Sequence, residues 1–234
     1  MNDNLAVTAT EGRVGWLGRY WLPLFLLVWG IFNLLPWLAP LFMQIGWRGS
    51  GEALYLAYMP LCHQLPQRSY FLFGPQFSYS LAEIQAAWQM TDNPLVLRQF
   101  MGSPEMGWKV AWSDRMVSMY TGIWLWAALY WPLRERLKQL PFWGFVLLAL
   151  PMLLDGGSHA VSDFAGISAG FRYHNEWLAA LTNHAFPAAF YAGDAVVSFN
   201  AWIRLLTGLL FSLGAVWLGF PYLEKGLGTG GVEA

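Results

Sequence analysis

The sequence predicts an all-α integral membrane protein, a bundle of about four transmembrane helices with two extramembrane inserts that contain short helices. Three observations predict it. Of the 234 residues, 56% are hydrophobic and only 12% are charged, where a soluble domain carries about 25% charged residues. Four stretches approach the roughly 20 mostly apolar residues that a helix needs to cross the hydrocarbon. Trp and Tyr collect at the ends of those stretches, as they do at membrane–water interfaces.

Span one covers about residues 20–46, because no formal charge lies between Arg19 and Arg48. Its Pro23, Pro36 and Pro40 predict a kink or an early end. Span two covers about 108–131 and is uncharged from Met116 to Leu133. Span three covers about 142–161, uncharged until Asp155, and span four about 200–222, uncharged after Arg204. Tyr20 and Trp47, Trp108 and Trp131, Trp143, Trp202 and Tyr222 mark the interfaces. Residues 1–18 are expected to be a cytoplasmic tail without the apolar core of a cleavable signal. Residues 19–222 then form one transmembrane domain, and residues 223–234, with the Gly-rich Gly226–Gly231, a flexible tail.

The inserts, residues 48–107 and 162–199, are too polar or too interrupted to cross. Leu54 to Leu61 is apolar but short, which predicts an interfacial or re-entrant helix. Ser80 with Glu83 predicts a capping box, and Asn93–Pro94 with Gly102 beyond brackets another short helix. Both inserts follow an odd-numbered span, so they share one side of the membrane. The short loop with Arg134, Arg136 and Lys138 lies on the other, and basic residues in a short loop mark the cytoplasmic face. A multi-pass protein of the prokaryotic inner or plasma membrane, with both termini cytoplasmic, is the expectation.

A net charge of −1 supplies no basic field for nucleic acid. The single cysteine, Cys62, cannot close an intramolecular disulfide. No nucleotide loop, zinc-protease motif or serine or cysteine triad is present. The lipid bilayer is the expected partner, together with other membrane-protein subunits.

Ionisable residues inside the spans are the most informative feature. Asp114 and Arg115 lie in span two, Asp155 and His159 late in span three, and Arg204 one turn into span four; all fall in the half of the membrane nearest the inserts. Asp155 and His159 are four apart and stack on one helix face. Asn200, Arg204, Gly208 and Ser212 form a stripe on span four, and Asp114, Ser118 and Thr121 one on span two. Such small and polar stripes are the faces that membrane helices turn toward each other. An unpaired Asp or Arg near a span centre costs roughly 3 kcal/mol, so pairing among Asp114, Arg115, Asp155 and Arg204, with His159 beside them, is expected. The cluster is either a structural set of ion pairs, with side chains snorkelling to the interface, or a polar cavity for a proton, ion or small ligand.

Residues 60–69 read PLCHQLPQRS. With Arg115, Tyr120 and Gly122, the Asp155–Gly156 pair, and the late Asn200, Arg204 and Gly208, the chain resembles a prokaryotic membrane-protein family known as domain of unknown function 2085. The resemblance runs from about Tyr55 to Gly214, interrupted by both inserts, and implies a membrane protein with no established activity. Members of that family carry C-x-R-C-x-G-x-Y-x-G at the start of the next helix. Here that stretch is Ser113 to Gly122, with Arg115, Tyr120 and Gly122 matching and both cysteine positions replaced, by Ser113 and Met116. In relatives, a Cys–His pair with two further cysteines suits tetrahedral zinc. In this chain that set is incomplete, so no metal or other cofactor is predicted; Cys62, His63 and Met116 are the residues left for a soft site suited to Cu(I). Cys62, His63, Gln64 and Arg68 are expected to fold over the charge cluster as a lid, with Arg68 pairing with a carboxylate or a phospholipid headgroup. His174, Glu176 and His184 match no metal spacing.

The leading expectation is a non-catalytic accessory or assembly component of a membrane complex. The alternatives are a membrane redox, metal- or ligand-binding enzyme that uses Asp155, His159 and Arg115, and a small-solute or ion carrier that works as an oligomer.

Overall fold

The structure, a computed structural model, describes residues 3–227, with side chains for Trp16 and from Gly18 onward. Helix α1 (Asp3–Gln44) runs unbroken through its three prolines, so the early end predicted there does not occur. Pro36 lacks the N–H that would bond the carbonyl of Phe32. The Tyr58 hydroxyl donates to that carbonyl instead, at 2.8 Å. Helix α2 (Arg48–Tyr58) lies against the end of α1 and buries Tyr55 and Tyr58 there. Two short 3₁₀ turns, Met59–Leu61 and Pro66–Arg68, follow.

The rest of the first insert is not all-α. Strand β1 (Ser69–Leu72) leads to α3 (Leu81–Ala87) and α4 (Pro94–Leu97), then to β2 (Gly102–Ser103) and β3 (Gly107–Ser113). The strands form an antiparallel sheet in the order β1-β3-β2, with Phe71 opposite Lys109 and Gly102 opposite Trp108. The predicted helix starts are met, with a complete Ser80–Glu83 capping box and the Asn93 side chain accepting from Leu95 N.

Span two does not start at Trp108. Residues 107–113 are β3, and the helix α5 (Asp114–Leu133) begins only at Asp114. Trp108, Val110, Ala111 and Trp112 are buried in the sheet, and a short apolar run buried on both faces has no periodicity to separate strand from helix. Trp108 is therefore no interface marker; its indole N–H donates to Gln44 Oε1 at 3.1 Å. The other six markers, Tyr20, Trp47, Trp131, Trp143, Trp202 and Tyr222, are exposed.

Helix α6 (Phe142–Asp163) returns to the insert end of the bundle, where α7 (Phe171–His174), α8 (Glu176–Leu181) and α9 (Ala188–Tyr191) make up the second insert. Helix α10 (Phe199–Gly226) runs back along α5 and α6. It carries residues 223–226 of the predicted tail as helix, with Leu227 as its cap; residues 228–234 and 1–2 lie outside the described residues, and residues 3–18 continue α1. Three helices among the described residues are long and apolar enough to cross a membrane: Gly18–Gln44, Phe142–Asp163 and Phe199–Gly226. Helix α5 is not among them. Asp114, Arg115, Ser118, Thr121 and its Trp and Tyr residues lower its mean hydropathy.

The small-residue stripes meet as predicted. A Cβ on Gly208 of α10 would collide with Ser118 Oγ of α5, and one on Gly122 of α5 with Ser212 Oγ of α10. Thr121 turns the other way, donating to Asn33 Oδ1 of α1 at 3.1 Å. Trp29 and Trp124 tie α1 to α5 by indole bonds to the Tyr120 and Leu26 carbonyls.

Candidate functional site: a charge-matched core under the inserts

At the insert end of the bundle, four arginines and four aspartates meet. Asp114, the first residue of α5, suits a helix N-terminus electrostatically and accepts from Arg204 Nε and Nη2 at 2.9 and 2.6 Å. Arg204 also donates from Nη1 to Asp194 Oδ1 at 2.6 Å. Asp194, in the loop before α10, accepts from Arg68 Nε at 2.8 Å, and Arg68 donates from both Nη atoms to Asp163, at the end of α6, at 3.0 Å each. This chain of three carboxylates and two guanidiniums is net negative by one charge. Beside it, Asp155 on α6 accepts from Arg115 Nη2 at 2.6 Å and from Arg172 Nη2, on α7, at 2.7 Å. That group is net positive by one. The two touch where the Arg115 amide donates to Asp114 Oδ1 at 2.7 Å, and together they are neutral.

Desolvation of so many charges is costly, and only short, well-aligned pairs offset it. Burial works to raise the Asp194 carboxyl, but the Arg68 and Arg204 guanidiniums beside it outweigh burial and hold it well below the usual carboxylate range. Burial works to lower Arg68, and Asp194 and Asp163 outweigh it and raise it. Arg172 is lowered, by burial first, with Asp155 opposing. His159 sits 3.2 Å from Arg172 Nη2 through Nε2. A guanidinium can only donate, so Nε2 presents its lone pair and the proton is assigned to Nδ1, which is buried without a partner.

Asn200 fastens the second insert onto α10. Its Nδ2 donates to the Arg172 and Gly193 carbonyls at 2.6 and 2.8 Å, and its Oδ1 accepts from Asn175 at 3.1 Å. The PLCHQ segment is held as tightly. Gln64, with φ at 52°, donates from Nε2 to the Tyr55 carbonyl at 2.8 Å. Cys62 Sγ accepts the Ser113 and Gln64 amides at 3.3 Å. Lys109 on β3 is fully buried and donates from Nζ to the Gln64 and Arg98 carbonyls at 2.8 and 2.6 Å; burial lowers its ammonium to about 7.

A cavity of about 180 Å³ opens beside the core, lined by Cys62, His63 and Arg68 from one motif and by Ser113, Asp114, Arg115, Met116 and Arg204 from the bundle. The structure brings Asp114, Arg115, Asp155, His159, Asn200 and Arg204 together at the insert end. Arg204 pairs with Asp114 and not with Asp155. Among the described residues no group of three or more His, Cys, Asp or Glu is placed to hold a metal ion.

Three members escaped the sequence reading: Asp163, Arg172 and Asp194. Asp114, Arg115, Asp155 and Arg204 already balance as two acids and two bases, so nothing called for further partners. The one unmatched signal was Arg68.

Three membrane-length apolar helices, capped at one end by a neutral ionic core, define a helical membrane protein. Residues 105–218 match the family described as predicted membrane protein, domain of unknown function 2085. The resemblance carried by Arg115, Tyr120, Gly122, Asp155 and Arg204 is met by that match, which also takes in Arg172 and Asp194 and leaves Arg68 and the PLCHQ segment outside. The chain is also similar to an uncharacterized protein of Methanocaldococcus jannaschii, 26% identical over 139 residues, which cover 56% of this chain and 67% of the archaeal protein. No solved structure matches it.

Proposed function

We propose that the chain is a four-span protein of the prokaryotic cell membrane, with α5 as the fourth span, both termini cytoplasmic and both inserts outside. It serves there as a non-catalytic accessory or assembly component of a larger membrane complex. The charge match of the core carries this reading. Every carboxylate in it accepts from a guanidinium, so none is left as a free acid or base, and the core ties both inserts to α5, α6 and α10. Buried ionic groups of this kind hold one arrangement of parts and add little net stability, which suits a rigid platform for partners. The α5 span is supported by its inward polar face and its outward Leu125 and Leu129.

Purification in mild detergent, with identification of co-purifying proteins, tests this function. Stoichiometric membrane partners, lost when the core is broken by Asp155→Asn, are expected. A protein that purifies alone from native membranes at native expression overturns the accessory reading.

The 180 Å³ cavity favours a second reading, a small-ligand site walled by both segments that carry the family resemblance. An absorption spectrum and metal content of the same preparation test it. A bound chromophore or metal lost in Cys62→Ala would move the function to this site.

A further inference from the structure

The charge match that neutralises the core stops short of one neighbouring recess. This second cavity, of about 200 Å³, is lined by Met59, Pro60, Leu61, Cys62, His63 and Arg98. It shares the Leu61–His63 corner with the first cavity, but no carboxylate lines it. Among the described residues, Arg98 makes no ion pair, unlike Arg68, Arg115, Arg172 and Arg204. Its side chain makes one long hydrogen bond, from Nη2 to the Met59 carbonyl at 3.3 Å, and its Nε is buried with no partner. A guanidinium has five donors, so most of this one is unspent at the wall of an open recess. His63, which is exposed, lines the same recess.

Both positions are fixed. Lys109 holds the Gln64 carbonyl behind His63 and the carbonyl of Arg98 itself. Asn93 caps the short α4 that delivers Arg98. The geometry is that of a preorganised cationic recess, and about 200 Å³ is several times the roughly 30 Å³ share of one water in the liquid.

We propose that this recess binds a tetrahedral oxyanion through the Arg98 guanidinium, with His63 as the second donor. The anion is a free phosphate or sulfate, or the phosphate of an anionic lipid headgroup at the insert-side surface. Arg is suited to this chemistry because its planar fork meets two oxygens at once. A soft cation is disfavoured in the same place by the unneutralised Arg98 charge. The proposal does not depend on the accessory role.

The test uses the full chain in detergent and in lipid nanodiscs. Melting temperature is followed against sodium phosphate at ionic strength matched with chloride, for the parent, Arg98→Ala, Arg98→Gln, Arg98→Lys and, as a control, the exposed Arg48→Ala. In the second arm, lipid retained after delipidation from phosphatidylglycerol or phosphatidylcholine nanodiscs is counted by mass spectrometry. A saturable phosphate shift, about tenfold weaker in Arg98→Ala and Arg98→Gln, partly kept by Arg98→Lys and unchanged in Arg48→Ala, identifies a free oxyanion. Selective retention of phosphatidylglycerol, lost in the same two variants, identifies a headgroup. Should the parent hold neither ligand, or Arg98→Ala and Arg98→Gln behave as the parent in both arms, the proposal is overturned. Each variant's melting curve shows whether it is folded, and Arg98→Gln preserves most of the side-chain volume if Arg98→Ala is not.

Discussion

Arg204 on α10 holds Asp114, the residue that opens α5, with three hydrogen bonds of 2.6 to 2.9 Å across 90 residues of sequence. The pair is buried on both sides, so neither charge has water to fall back on. Removing one partner of such a pair costs roughly 3–5 kcal/mol, because the other stays buried and uncompensated. Asp114→Asn and Arg204→Gln should each lower stability in detergent by that order. The double variant should lose less than the sum. The same holds for Asp155→Asn with Arg115→Gln. The cross combination, Asp155→Asn with Arg204→Gln, should be closer to additive, since the two make no direct bond. Unfolding in detergent with increasing denaturant measures all three cycles, and strict additivity throughout would show that the core is not a set of paired units.

The α5–α10 contact makes a prediction of its own. At Gly208 an added Cβ meets Ser118 Oγ and also lies 3.1 Å from Met119 N and 3.2 Å from Arg115 O. Backbone cannot step aside as a flexible side chain does. Gly208→Ala should cost roughly 1–3 kcal/mol through overpacking. Gly219, eleven residues on in the same helix, has nothing within 4 Å of its Cβ position, so Gly219→Ala should be neutral or slightly stabilising. Equal melting of the two variants would mean that the helices do not approach this closely.

How far the sequence led can be judged from these residues. Spans one, three and four were legible because length and the absence of charge are enough to define them. The small faces of α5 and α10 were legible because helical spacing gathers Asp114 with Ser118, and Arg204 with Gly208 and Ser212. The sheet was not legible. Its edges, Gly102–Ser103 and Ser69–Leu72, are too short to show alternation, and Trp108 to Trp112 reads equally well as helix. Arg172 and Asp194 were hidden for another reason. They come from loop and short-helix segments, where no periodicity assigns a side chain to a face, and only the fold of the second insert aims them at α6 and α10.

Cys62 should be chemically quiet. Its sulfur is buried, accepts two amides and faces Ser113 Oγ at 3.4 Å, where the family pattern has a second cysteine. The folded protein should react slowly with maleimide and hold no stoichiometric zinc. Zinc at one equivalent, lost in Cys62→Ala, would show that ligands other than cysteine complete a site here.

Lys109 gives the chain a pH signature. Its ammonium is lowered by burial from the ordinary 10.5 to about 7. Between those values the unfolded chain binds the proton and the folded chain does not, so stability rises with pH across that window. Below about pH 7 the lysine is charged in both states and contributes no slope. Lys109→Met should flatten the rise between pH 7 and 10.5 relative to the parent, as read from melting temperature against pH. Parallel curves for parent and variant would place the Lys109 proton equilibrium at its ordinary value.

Topology decides whether α5 crosses. The insert end of the bundle gathers Arg68 from the first insert and Arg172 and Asp194 from the second, so both inserts share one face of the fold whatever the membrane does. With α5 as a span, a reporter in the α5–α6 loop at Lys138 lies across the membrane from one at Gln76 in the first insert and one at Gly166 in the second. In the proposed orientation the loop with basic Arg134, Arg136 and Lys138 is the cytoplasmic one. An alkaline phosphatase insertion should therefore be active at Gln76 and Gly166 and inactive at Lys138, with a cytoplasmic fluorescent reporter giving the reverse pattern. The polar residues that lower the hydropathy of α5 do not oppose this outcome, since Asp114 and Arg115 pair with Arg204 and Asp155 and Ser118 donates to the Arg115 carbonyl at 2.9 Å. As a span, the helix would present Leu125, Leu129 and Trp131 to lipid. Like signals at Gln76 and Lys138 would take α5 out of the membrane, and α6 with it, because inserts that share one face must be separated by an even number of crossings. A uniformly reversed pattern would keep all four and turn the protein over.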